Sequence, residues 1–218
     1  MIYTHPVLPL FWNPLLDNDS FCVGQSNVHA FEWIQKEKWP CQHVNIYGPK
    51  DSGKTHLGML WAKKHNAVWL PCAHASFVNT KGKYVLDISS CSFNEQDILG
   101  FLEEIRESGS SCLWLSALPL HLYCSYPALR SRVIAFLCIQ IQEPDDVLLL
   151  KVLKKAFYDV GFIVYPQILD FLVKRMDRSF SSIRTIVEKV HEYTLKHHAN
   201  LSISVVKAAL NWKNDCGM

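Results

Sequence analysis

The octapeptide GPKDSGKT, Gly48 to Thr55, sets two glycines, a lysine and a hydroxyl residue in the pattern G-x-x-x-x-G-K-[ST]. Glycine lets successive backbone N–H groups turn inward on an anion. Lys54 brings a positive charge to the β- and γ-oxygens of a nucleotide, and Thr55 offers a hydroxyl to Mg²⁺. Pro49, Lys50, Asp51 and Ser52 complete a loop that would wrap the phosphates of ADP or ATP between Gly48 and Gly53. The loop follows the apolar run HVNIY and precedes HLGMLWAKKH, so a strand leads in and a helix leads out, which is the context the pattern requires.

Asp87 ends a second apolar run, YVLD, where a carboxylate would orient the magnesium ion bound at Thr55. The next residue is Ile88, whose side chain cannot polarise a water molecule. Asp51, Glu95 and Asp97 are other acids nearby in the chain, but none adjoins Asp87. The sequence therefore predicts a site that holds a nucleotide well and hydrolyses it poorly. Ser116, at the end of LWLS, stands where a polar side chain could approach the γ-phosphate, or satisfy its own strand end. Arginines are unevenly placed: five of the six (130, 132, 175, 178, 184) fall within one stretch of 55 residues, whereas the sixteen lysines are spread along the chain. The planar fork of arginine suits phosphate oxygens, which singles out Arg132 in LRSR and Arg184 in RSFSSIR, against the plainer reading of solvated surface charge.

These residues need elements to position them. Residues 1–20 are interrupted by Pro and Asn and read as an extended arm. SNVHAFEWI predicts a helix capped by Ser26 or Asn27. Strands are predicted at HVNIY, AVWL, KYVLDI, CLWLSAL and FLCIQI, alternating with helices. The helix after Ser92 is signalled by an S-x-x-E capping box and an apolar stripe of Ile98, Leu99, Phe101, Leu102 and Ile105. This alternation predicts a parallel, three-layer α/β domain over 21–143. After EPDD the strand signal ends, and helices are predicted at 145–159, 166–177, about 181–198 and about 204–213. They would form a small all-helical domain over 144–218 with the hinge near Pro144.

Composition limits the alternatives. The 218 residues are 49% apolar, enough for a sizeable core. A net charge of +2 is too small to imply a duplex-binding surface by itself. No apolar run is long enough for a membrane span, and no export signal opens the chain, so a cytoplasmic protein is expected. The eight cysteines form no C-x-x-C pair and several lie in apolar runs, which predicts reduced, buried thiols rather than zinc ligands.

The segments FCVGQSN, IYGPKDSGKTHL, LWLSALP, LRSR, PDDVLLLKVLKKAF and RSFSSIRTIVEKV follow one another in an order that resembles the AAA+ domain of the bacterial replication initiator DnaA. The resemblance is closer still to its short Hda-like relatives, the regulatory inactivators of DnaA, and it runs from residue 8 to nearly the end. It implies an AAA+ P-loop NTPase fold with a helical lid, and VGQSN lying near the adenine. It further implies that Lys54 and Thr55 bind phosphate and Mg²⁺, that Asp87 is the Walker B acid, that Ser116 occupies sensor one, Arg184 sensor two, and Arg132 the arginine finger. Relatives usually carry two acids at Walker B, so Ile88 is a departure. The initiator also carries a basic helix-turn-helix domain, for which this sequence has no counterpart, so sequence-specific DNA binding is not expected. By the same resemblance the partners would be a DnaA-type initiator and the sliding clamp of a bacterial DNA polymerase, with homo-oligomers possible.

Three classes of function follow: a regulator that stimulates ATP hydrolysis by the initiator in trans, an autonomous ATPase or loader motor, and an adaptor. In the arm, V-L-P-L-F at 7–11 is similar to the clamp-binding peptide Q-L-x-L-F of Hda-like proteins. Leu8, Leu10 and Phe11 would fill apolar pockets, while Val7 replaces the hydrogen-bonding glutamine. An arm packed on its own domain is the alternative. Replacing Leu10 and Phe11 together with Ala is expected to cut clamp binding at least tenfold and leave the melting temperature unchanged, because apolar anchors dominate a small groove contact. A double variant that unfolds instead makes the arm part of the core.

Overall fold

The computed structural model describes residues 21–70, 81–89 and 93–212. Leu8, Leu10 and Phe11, with the rest of the arm, lie outside that range. The described elements run α1 (Val28–Gln35), β1 (His43–Tyr47), α2 (Lys54–His65), β2 (Val68–Leu70), β3 (Lys83–Asp87), α3 (Glu95–Ser108), β4 (Ser111–Ser116), α4 (Pro127–Val133), β5 (Leu137–Gln140), α5 (Asp146–Asp159), α6 (Pro166–Val173), α7 (Phe180–His197) and α8 (Ile203–Ala209). The five strands form one sheet in the order β2-β3-β4-β1-β5, and every pairing is parallel.

Strand side chains alternate between two apolar layers, as a sheet covered on both faces requires. Tyr84, Leu86, Cys112 and Trp114 face Phe101 and Ile105 of α3 and Leu129 and Val133 of α4. Val44, Ile46, Val85, Leu113 and Leu115 face Ile34 of α1 and Leu57, Leu60 and Trp61 of α2. Helices α5 to α8 pack around a core of their own, which includes Leu153, Phe157, Leu172, Ile183 and Val190. This is the expected α/β architecture followed by a helical region.

Three capping expectations change in detail. Helix α3 is capped by Asn94, whose side chain accepts from the N–H of Gln96, two residues later than the S-x-x-E pattern placed it. The carboxylate of Glu95 is drawn away to Tyr126 N (2.7 Å) and Ser125 N (3.0 Å), where it fixes the loop entering α4. Asn27 precedes α1 without capping it. Its amide group accepts from Gly24 N and donates to Cys22 O, folding the FCVGQSN segment on itself. Helix α6 ends at Val173, four residues early, in a tightened turn where Arg175 N and Met176 N share Leu172 O.

Of the thiols within the described residues, Cys112 and Cys124 are buried, Cys22 and Cys41 half-buried and Cys138 exposed; all are free. Burial pushes the Cys124 thiol up to about 11, Glu95 adding to the effect.

At the opposite end of β1 from the phosphate loop, His43 stacks on Phe136 at 4.5 Å and accepts a hydrogen bond from Trp114 Nε1 at Nδ1. Burial pushes its pKa down to about 4, so the imidazole is neutral in the native state. The unfolded chain takes up the proton first, so this contribution is whole above about pH 6.5 and is lost as the pH falls towards 4. Between pH 7 and pH 5 the parent is expected to lose roughly 2 kcal/mol relative to His43→Gln, read from urea denaturation midpoints at the two pH values.

Candidate functional site

The helix that follows the glycine loop has no side-chain cap. Gly53, at φ +87°, stands at the N-cap of α2, so no side chain stands between the start of the helix and an anion. Two close approaches fix the loop. A Cβ at Gly48 would lie 2.6 Å from the Ile141 carbonyl oxygen, and one at Gly53 would lie 2.9 Å from the Phe21 ring. Neither position admits a larger residue without moving β5 or the aromatic wall.

Lys54 is 6% exposed, and its ammonium donates to the carbonyls of Gly48 (2.9 Å) and Pro49 (2.7 Å). Burial pushes its pKa down, opposed by Asp87 and Asp51. The lysine is held inside the loop, where a phosphate would replace carbonyl oxygens as its partner. Ser52 supports the same reading, because its hydroxyl is buried beside the start of α2 without a hydrogen-bond partner among the described residues. Thr55 Oγ1 donates to Asp87 Oδ2 at 2.9 Å, and Ser89 N donates to Asp87 Oδ1 at 3.0 Å. One hydroxyl and one carboxylate thus stand together at the start of α2 and the end of β3, a pair of hard oxygen ligands suited to Mg²⁺. A magnesium ion there would neutralise charge on the phosphates.

Ile88, 2% exposed, packs in the apolar layer under α3. The position next to Asp87 therefore faces the core. Glu95 is committed to the α4 loop, and Asp97 is exposed on α3.

Ser116 is turned away from the loop. Its backbone carbonyl accepts from Gly48 N, but its hydroxyl donates to Leu118 O (2.7 Å) and accepts from Asn45 Nδ2 (2.8 Å). Asn45 is the organiser here, fully buried on β1 and also accepting from Leu120 N at 3.1 Å. Sequence reasoning passed over it, although one amide in the apolar strand HVNIY was a usable signal.

Arg184, on α7, does reach the loop: Nη1 lies 3.5 Å from Asp51 Oδ1, and Nε donates to Glu188 at 2.8 Å. Between them the loop and the helical region enclose a cleft of about 240 Å³. Asp51, Ser52, Gly53 and Arg184 line it near the loop, and Phe21, Cys22, Asn27, Val152, Lys155 and Asp159 elsewhere. Phe21 stacks on Phe31 at 5.6 Å and meets His56 edge-on at 5.3 Å. Phe21, His56, Lys155 and Asp159 had not been singled out in the sequence.

Arg132 lies elsewhere. It borders a second cavity, with His43, Gln42 and Phe136, at the end of the sheet remote from Gly48. Its guanidinium is ion-paired with Glu103 on α3, which also holds Arg106 at 2.7 Å.

No protein-family model matches the chain. A protein of Haemophilus influenzae described as uncharacterized is 26% identical over 209 residues, covering 86% of this chain and 90% of its own. Among solved structures, domain III of the Thermotoga maritima replication initiation protein DnaA superposes with a TM-score of 0.76 at 16% identity, over 91% of this chain and 97% of that one. AMPPCP-bound DnaA from Aquifex aeolicus gives 0.62 at 14% identity, over 91% and 88%. The Thermotoga maritima Holliday junction branch migration motor RuvB gives 0.62 at 17%, over 87% and 69%. The fold is that of the AAA+ P-loop NTPases.

A ligand bound to the native state alone raises its stability by mass action, about 2.7 kcal/mol at a hundredfold excess over Kd. ADP or ATP with Mg²⁺ is expected to raise the melting temperature of the parent by several degrees, and Lys54→Ala to abolish that rise. A parent melting curve that no nucleotide shifts removes the phosphate site.

Proposed function

We propose that this protein is a nucleotide-binding regulator of chromosome replication initiation, which stimulates ATP hydrolysis by a DnaA-type initiator in trans, with the sliding clamp as the platform that brings the two together. The observation that carries this reading is the position of Arg132. The phosphate loop leaves β1 at its Tyr47 end, whereas Arg132 shares a cavity with His43 at the other end. Five strand residues separate the two ends, roughly 13 Å even before the loop is counted. Arg132 therefore serves no phosphate bound at its own Lys54. Its side chain is 43% exposed, and among the described residues its ion pair is with Glu103.

In this reading the chain's own nucleotide is structural. Lys54 and the N–H groups of α2 bind the phosphates, Thr55 and Asp87 hold Mg²⁺, and Arg184 exchanges Asp51 for phosphate as the helical region closes on the cleft. Ile88 leaves no acid to activate a water at this site, which argues against an autonomous motor. The neighbouring initiator supplies ATP and the water-activating machinery, and Arg132 supplies the charge that stabilises the transferring phosphoryl group.

The test is phosphate release from a DnaA-type initiator pre-loaded with ATP, with this protein and DNA-loaded clamp added. An arginine supplied in trans is worth ~10³ to 10⁵ in rate, so Arg132→Ala, and largely Arg132→Lys, are expected to lose the stimulation while binding nucleotide and melting as the parent does. An exposed ion pair contributes about 1 kcal/mol or less, so the fold should survive the change. Arg130→Ala is expected to have the smaller effect. If Arg132→Ala stimulates as well as the parent, the arginine-finger reading fails.

A further inference from the structure

The cleft contains an ion pair that helix stability does not explain. On α5, Lys155 Nζ donates to Asp159 Oδ2 at 2.5 Å, and the two side chains are 24% and 14% exposed. Both line the cleft, among Phe21, Cys22, Val152 and Ala156. The order is the weaker one: an acid four residues before a base supports a helix better than the reverse. Asp159 is also the last residue of α5, where the negative end of the helix dipole opposes a carboxylate. Desolvating two charges in an apolar-lined cleft adds a further cost. The pair thus stands against the dipole, on the face of α5 that borders the cleft.

We infer that Lys155 and Asp159 read the edge of the nucleotide's base, Asp159 accepting from an exocyclic amino group and Lys155 donating to the neighbouring ring nitrogen, an edge that adenine and cytosine share. This rests on the nucleotide reading above. Among the described residues Lys155 is the hydrogen-bond partner found for Asp159, which leaves its second carboxylate oxygen, and the remaining ammonium protons, open to a base. The placement also agrees with the other end of the cleft. Ser52, Gly53 and Arg184 stand at the phosphate end, and Phe21 supplies an aromatic wall with Phe31 stacked behind it. A site that hydrogen-bonds an amino group rejects an analogue lacking it, because its own buried polar groups are then left unpaired.

The experiment measures dissociation constants of the full chain for ADP, CDP, GDP, UDP, purine riboside diphosphate, which lacks the amino group, and inorganic pyrophosphate. The parent is expected to bind ADP or CDP about tenfold or more tightly than UDP, GDP and the purine riboside compound. Preference for ADP over CDP, or the converse, identifies the base by ring size. Replacing the pair with Lys155→Met and Asp159→Leu should collapse the preference to about twofold or less and leave pyrophosphate affinity unchanged. The exchange Lys155→Asp with Asp159→Lys orients the pair along the helix dipole, so it is compatible with the fold, and it should also abolish the preference. A parent that binds all the diphosphates alike, or prefers GDP or UDP, overturns the inference while the phosphate site stands. So does either double variant keeping the parent's preference. If pyrophosphate and every nucleotide fail to bind the parent, the nucleotide reading itself is what falls.

Discussion

Everything at the site depends on the start of α2, where no side chain of the described residues caps the helix. Helix α2 is preceded by a glycine in a left-handed conformation, and the loop before it holds Ser52, whose buried hydroxyl has no partner among the described residues. Four other helices are treated differently, Asn94, Asp145, Ser179 and Ser202 each accepting from the first turn of the helix they precede, while α1, α4 and α6 share the lack of a side-chain cap. At α2 the place of a capping side chain is taken by Gly53, and Lys54 folds onto the loop carbonyls. A buried hydroxyl without a partner is destabilising, so at Ser52 the loop gives up local stability.

The parallel sheet makes that arrangement affordable. With both faces covered, the strands fix the relative position of Gly48, Asp87 and Ser116 to within one register. Tyr47 pairs with Ser116 and Asp87 with Leu115, so the three strand ends lie side by side. Asn45 adds a polar tie beneath them, joining β1 to β4 and to the turn that follows. The loop therefore sits on a base tied on both sides, and α5–α8 reach it through the pair Asp51–Arg184.

Much of this was legible in the residues. The strand-loop-helix context of GPKDSGKT, the single acid at 87 and the change from alternating elements to helices after EPDD are local patterns, and the elements they predicted are present. What the sequence did not reveal depends on contacts distant along the chain. Ser116 stands at the expected strand end, but its hydroxyl is taken by Asn45, 71 positions away. The α3 cap moved because Glu95 found the backbone of Ser125 and Tyr126 some 30 residues on. Lys155 and Asp159 look like an ordinary surface pair until α5 is laid against Phe21 and Cys22. Periodicity carries no information about which polar residue a folded loop will meet.

The division of the apolar residues into layers has a consequence for how the molecule comes apart. Among the described residues Leu148 and Phe180 are the buried side chains that the helical region contributes to the layer under α1 and α2, joined by half-buried Val152, with Leu148 pressed against Gly24, whereas its other buried apolar residues serve its own core. Two cooperative units joined by so small a seam open at the seam first. Amide exchange in α5–α8 is then governed by local separation rather than by global unfolding, and a molecule spanning the cleft acts as the cross-link that makes the two units melt as one.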